Sequence, residues 1–171
     1  MKKLLLFISL IITGVCVKAQ NKETTLPIPN YRITRADSSI ITQAALNTRK
    51  PVMFIYFEPT CSHCEHLMME LKPYMNQLKK IQVVMVTYTK TEYPYLKMLK
   101  EFNTKYSLSK YPNFTVGTEY NHFNTREYPM QKYYAIYNTP FIVVYNGAGK
   151  VVKSFTVVPK VEDLLAAIKK A

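Results

Sequence analysis

An uninterrupted run of apolar and aromatic residues, Val52-Met53-Phe54-Ile55-Tyr56-Phe57, leads within four positions to Cys61 and Cys64, which stand two residues apart. A strand with one wet face alternates polar and apolar residues, so a run that never alternates predicts a strand covered on both faces. Pro59-Thr60 ends the run, and from Cys61 the spacing becomes helical. Leu67, Leu71, Tyr74, Met75 and Leu78 recur on one face of that helix. Pro73 lies inside it and predicts a kink or break near Lys72.

The cysteines therefore sit where a buried strand meets the start of a helix. First-turn N–H groups have no intrahelical acceptor there, and the positive end of the helix dipole points outward. A thiolate is stabilised in that place, and thiolate is the form that attacks disulfides. One helical turn brings Cys64 within bonding reach of Cys61. The expected division of labour follows: Cys61, at the exposed end, attacks, and Cys64, further in, resolves the mixed disulfide. His63 can offer a charge or a donor that lowers the Cys61 pKa, whereas the Glu65 carboxylate competes for the same helix end. A structural staple explains the pair less well, because closing so short a loop removes little unfolded-state entropy.

A C-x-x-C pair has other uses. Haem attachment needs a histidine directly after the second cysteine, and Glu65 stands there. A zinc or copper site could join Cys61 and Cys64 to His66 or His122, but no second C-x-x-C exists to complete a knuckle. His66 and His122 read as surface histidines. The expectation is a redox pair with no metal and no other cofactor.

The rest of the chain supplies more layers. Tyr31–Arg35 reads as a short strand. Ser38 and Ser39 read as caps of a short helix running to about Asn47, with Ile40, Ile41, Ala44 and Ala45 facing inward. Ile81–Thr87 is a second buried strand, Tyr93–Tyr106 a helix with Leu96, Leu99, Phe102 and Tyr106 on one face, and Asn113–Val116 a further short strand. Residues 117–130 carry no clear pattern. Pro140 precedes the strand Phe141–Tyr145, Asn146-Gly147-Ala148-Gly149 marks a turn, and Val151–Val158 returns. Val161–Lys170 closes the chain as an amphipathic helix with Val161, Leu164, Leu165 and Ile168 on its apolar face and lysines at its end. This order predicts an α/β fold: a central mixed sheet with helices on both faces.

Residues 1–19 combine a basic start (Lys2, Lys3), an uncharged apolar run from Leu4 to Val17 and a plausible cut after Ala19, the pattern of a secretory signal peptide. The run is short for a bilayer span, so no stable membrane span is expected after cleavage. Lipoprotein anchoring at Cys16 is the alternative, with a periplasmic location the main expectation. Residues 20–30, polar with Pro27 and Pro29, form an extended leader, and 31–171 one domain. The chain of 171 residues carries +12; Lys2, Lys3 and Lys18 lie in the signal segment 1–19 with no acid, which leaves +9. The basic residues are scattered, without the dense stripe of a nucleic-acid footprint, so no nucleic acid is expected as a partner.

Three features together resemble the thioredoxin superfamily: Val52–Phe57 running into Glu58-Pro59-Thr60-Cys61-Ser62-His63-Cys64, the dipeptide Thr139-Pro140 before a strand, and the Gly147/Gly149 hairpin leading to a last helix. The resemblance covers about residues 31–170 and implies a thioredoxin-like fold. It also implies that Pro140 is cis and packs beside the cysteine pair, and that Thr139, with Thr60, borders a groove where an extended substrate segment pairs with the Thr139 backbone. The extra material between the helix and Pro140, together with the export signal, resembles the exported TlpA/ResA-like thiol–disulfide oxidoreductases. The substrates so implied are exported protein disulfides or dithiols, with an unidentified redox partner resetting the pair. Two departures stand out: Thr60 replaces the usual tryptophan, and Ile55 stands where the family has a buried acid. Glu58 is the nearest acid that could assist Cys64, though a solvent-exposed place at the strand end is its simpler reading. The Ser-His dipeptide is similar to that of disulfide isomerases and periplasmic oxidants. Thr60-Cys61 is faintly similar to the threonine-containing loop of peroxiredoxin-like thiol peroxidases, the alternative enzyme class; a copper- or zinc-binding thioredoxin-fold module is the non-enzyme alternative.

Overall fold

The computed structural model describes residues 26–89, 94–120 and 128–171. Its strands are β1 (Arg32–Arg35), β2 (Ile40–Thr42), β3 (Val52–Tyr56), β4 (Gln82–Tyr88), β5 (Phe114–Glu119), β6 (Phe141–Tyr145) and β7 (Val151–Phe155). Among the described residues they form one mixed sheet in the order β2-β1-β5-β4-β3-β6-β7. β3 pairs in parallel with β4, from Val52↔Gln82 to Tyr56↔Val86, and antiparallel with β6, from Val52↔Tyr145 to Tyr56↔Phe141. Every residue of β3 is buried, as its unbroken apolar run requires.

The two faces of the sheet are covered unequally. Met53, Ile55 and Phe57 join a core built with α1 (Ser62–Leu71), α2 (Met75–Leu78), α3 (Tyr95–Lys105) and α5 (Val161–Lys170). Pro73 does interrupt the first of these helices: the 3-10 turn Lys72–Tyr74 separates α1 from α2. On the other face, Phe54, Tyr56, Val84, Val86 and Val143 pack with Tyr31, Ile33 and Met130, the last from the short α4 (Pro129–Tyr133). Residues 26–30 of the leader lie along this face. Ile28 packs on it, and the Pro27 carbonyl accepts hydrogen bonds from Tyr133 Oη at 2.6 Å and Tyr145 Oη at 3.5 Å. Helices thus lie on both faces, the heavier layer on the α1 side.

The short helix expected from Ser38 to Asn47 is replaced by a hairpin. β1 pairs antiparallel with β2 through Arg32↔Thr42, Ile33↔Ile41 and Thr34↔Ile40. Asp37 Oδ1 accepts from the Ser39 backbone N–H (3.0 Å) and hydroxyl (2.5 Å), and Ser38 takes the left-handed φ of 67°. Asp and Ser make local turn bonds as readily as helix caps, and two isoleucines and Thr42 favour the strand. Only a 3-10 turn, Gln43–Ala45, follows. Ile40, Ala44 and Ala45 are exposed rather than inward, while Ile41 is half-buried.

Smaller departures concern ends and faces. β5 runs on to Glu119, past the expected Val116, and β7 stops at Phe155. In α3 the buried residues are Tyr95, Leu99 and Phe102, with Leu96 half-buried, and in α5 Ala167 is buried alongside Val161 and Leu164. The turn between β6 and β7 is built on Asn146, whose Oδ1 accepts from the Ala148 and Lys150 N–H groups at 3.0 Å each, with Gly149 at φ 72°. No helix among the described residues is long and apolar enough to cross a membrane.

Candidate functional site

β3 ends at Tyr56, and the turn that follows delivers Cys61 to the N-cap of α1. The Cys61 N–H donates to the Glu58 carbonyl at 3.0 Å, and the Cys61 carbonyl accepts from the Glu65 N–H at 3.0 Å, the first bond of the helix. Cys61 is half-buried and Cys64 fully buried, 2 % exposed; both are free thiols. β6 begins next to the end of β3, so the chain just before it, Thr139-Pro140, arrives at the same place. The Thr139-Pro140 bond is cis and Pro140 is buried, as the resemblance implied. The Thr139 carbonyl lies 3.6 Å from Cys61 Sγ, which donates to it.

The two sulfurs differ electrostatically. Burial works against ionisation at Cys61, but hydrogen bonds from the Cys64 backbone, the Thr139 side chain, the Cys64 side chain and the His63 backbone outweigh it, and its pKa falls below that of an ordinary thiol. Burial pushes Cys64 the other way, up to about 12, and its hydrogen bond and charge interaction with Cys61 add to the rise. The outer sulfur is the readier thiolate.

Each residue singled out from sequence has a definite place. His63 is exposed; its backbone serves the Cys61 sulfur, and the residue lines a groove of about 420 Å³ beside the pair. Thr139 lines the same groove, with Glu58, Tyr88, Gln131, Tyr137 and Val157. Thr60 is exposed in the turn before Cys61. Glu65 is drawn to Lys105 of α3, with Oε1 to Nζ at 2.6 Å, which offsets its competition for the head of the helix. Ile55 is fully buried, so the position of the family's buried acid is apolar. Glu58 is half-buried instead of fully exposed, and its Oε2 accepts from Tyr88 Oη at 3.2 Å. His66 is exposed with Nε2 3.3 Å from Glu70, and His122 lies outside the described residues. Among the described residues no three His, Cys, Asp or Glu side chains converge on a metal position.

Sequence reasoning missed Glu119. It is 2 % exposed, and its carboxylate accepts hydrogen bonds from Tyr56 Oη at 2.7 Å, the Met130 N–H at 2.8 Å and the Gln131 N–H at 3.3 Å. The only signal for it was an acid at the end of a strand whose full length went unread.

A family model described as a thioredoxin-like domain matches residues 40–171. No curated protein matches the chain. Solved structures resemble its fold at low identity. A secreted disulfide oxidoreductase of Mycobacterium tuberculosis, homologous to E. coli DsbE, is 17% identical with a TM-score of 0.64, over 82% of this chain and 96% of that one. An exposed lipoprotein thioredoxin of Streptococcus pneumoniae is 14% identical with a TM-score of 0.59, over 84% and 100%. A thiol-disulfide oxidoreductase of Bacteroides fragilis is 15% identical with a TM-score of 0.63, over 84% and 98%.

Proposed function

The chain belongs to the thioredoxin-like family, and on that premise we propose that it is a thiol–disulfide oxidoreductase, exchanging dithiol and disulfide with exported proteins through Cys61 and Cys64. One observation carries the reading: an outer, acidic sulfur at a helix N-terminus beside a groove, with a buried, weakly acidic sulfur one turn behind it.

In the reducing direction, the Cys61 thiolate attacks one sulfur of a substrate disulfide. A Cys61–substrate bond forms, the substrate S–S bond breaks, and one substrate sulfur leaves as thiolate. Cys64 then loses its proton and attacks Cys61, forming the Cys61–Cys64 disulfide and expelling the second substrate thiolate. The substrate gains two electrons and the pair loses two. Two of the causes that hold Cys64 up, its hydrogen bond to Cys61 and the Cys61 charge, disappear once Cys61 is in the mixed disulfide. The resolving sulfur is therefore restrained until the first step is complete. Thr139 borders the groove, where its backbone meets an extended substrate segment. The oxidising direction is the same sequence reversed.

Export is supported by Lys2, Lys3 and the apolar run to Val17, and two of the structural neighbours are described as secreted or exposed. The exported form then begins at Gln20, which N-terminal sequencing of the processed protein reads directly. For the chemistry, turnover of a peptide disulfide is compared with turnover of hydrogen peroxide. Disulfide exchange that vanishes in Cys61→Ser supports the proposal. Fast peroxide reduction with slow disulfide exchange would replace it with a peroxidase.

A further inference from the structure

We propose that Glu119 is a positioning residue for this exchange, holding both walls of the groove beside Cys61 through the hydrogen bonds of its buried carboxylate. The proposal rests on the thiol–disulfide reading above and assigns a role to a residue that touches neither sulfur.

A carboxylate is costly to bury and persists where its oxygens are well paired. Glu119 closes β5 on the thinly covered face of the sheet, where burial raises its pKa and the bonds from Tyr56, Met130 and Gln131 offset part of that rise. Its bonds run in two directions. Toward one wall, it accepts the Met130 and Gln131 N–H groups at the start of α4. Gln131 is tied in turn to Ile136: the Ile136 N–H donates to the Gln131 carbonyl at 2.9 Å, and Gln131 Nε2 donates to the Ile136 carbonyl at 3.4 Å. Three residues later comes Thr139, whose carbonyl faces Cys61.

Toward the other wall, Glu119 accepts from Tyr56 Oη. The Tyr56 ring stacks on Tyr88, with centroids 6.2 Å apart and planes 7° from parallel, and Tyr88 Oη donates to Glu58. The Glu58 carbonyl is the acceptor for the Cys61 N–H. Glu58, Tyr88, Gln131, Ile136 and Thr139 all line the groove. One carboxylate thus joins the two segments that a substrate must pass between. Were its role only to stabilise the fold, its loss would lower the melting temperature and treat all substrates alike.

The test uses the full chain and two variants. In Glu119→Gln the side-chain carbonyl can keep the Met130 N–H and the amide nitrogen can donate to Tyr56 Oη, but the Gln131 N–H loses its acceptor. Tyr56→Phe cuts the other arm without changing the ring and keeps the proposal testable if the first variant folds poorly. Each is assayed with a peptide disulfide long enough to fill the groove and with dithionitrobenzoate, which needs only the thiolate. The expected result is a KM for the peptide raised about fivefold to tenfold, with kcat and the dithionitrobenzoate rate changed less than about twofold. An unchanged peptide KM in the variants, or peptide and small-disulfide rates falling in parallel, overturns the proposal. A wild-type protein that exchanges with neither disulfide defeats the parent reading and this one together. A wild type active on both, with variants that match it, defeats this one alone.

Discussion

The Cys61 sulfur and the Thr139 carbonyl oxygen are 3.6 Å apart although 78 residues separate them along the chain. The contact exists because β3 and β6 are neighbours, and it places the sulfur with the lowered pKa against the segment that borders the groove. Reactivity at Cys61 should therefore report directly on the state of the site.

Alkylation rates against pH measure that reactivity. The Cys61 pKa is depressed, so the sulfur becomes thiolate at lower pH than a free cysteine, whose value is about 8.5. Iodoacetamide labelling of Cys61 should have its midpoint below that of free cysteine in the same buffer. Cys64, pushed up to about 12, should stay unlabelled through neutral and mildly alkaline pH. A Cys61 midpoint at or above that of free cysteine contradicts the electrostatic assignment.

Removing each sulfur should have a different effect. Cys61→Ser should lower exchange with a peptide disulfide by about a thousandfold or more, because only the buried, weakly acidic Cys64 thiol remains. Cys64→Ser should leave the first attack intact and accumulate a covalent substrate adduct on Cys61, visible by mass spectrometry and released by dithiothreitol. An adduct on Cys64 in the Cys61→Ser protein would reverse the roles.

The His63 contribution can be divided between ring and backbone. The backbone bonds to the Cys61 sulfur while the ring is exposed. His63 is the second residue of α1, early enough for proline to be accommodated. His63→Ala keeps the N–H and His63→Pro removes it. Cys61 should titrate at higher pH in the proline variant than in the alanine variant, as followed by thiolate absorbance. Equal values in the two would show that the N–H does not support the thiolate.

A stability prediction comes from the hairpin far from the site. Ser38 occupies the left-handed region, with φ at 67°, in the short loop between β1 and β2, a conformation that favours glycine. Ser38→Gly should stabilise the fold by about 0.5–1 kcal/mol, raising the melting temperature by a few degrees. A lower melting temperature would mean that the serine makes an interaction worth more than the backbone relief.

What could be read from sequence followed from how far each signal was local. The continuous run of β3, the helical spacing after Cys61, the break at Pro73 and the amphipathic Val161–Lys170 are each encoded by neighbours in the chain, and each is found in the fold. The hairpin at Ser38 was misread because Asp and Ser cap helices and make turns by the same hydrogen bonds, and its pairing partner Ile41 gains its value only from the sheet. The cysteine pair was legible as a motif, whereas the contact of Thr139 with Cys61 required a family resemblance to anticipate. Glu119 was out of reach of both. Its meaning depends on Tyr56, Met130 and Gln131, which converge only after β3, β5 and α4 have assembled.

The antiparallel seam between β3 and β6 has a consequence for evolution of the protein. Cys61 follows and Thr139 precedes a pair of adjacent interior strands, so the β3–β6 pairing sets where the two segments meet. Insertions in the outer hairpin β1–β2, which contributes no residue to the groove, can lengthen and diversify without moving those segments. Such a chain can grow at one margin while Cys61 and Thr139 keep their places at the centre.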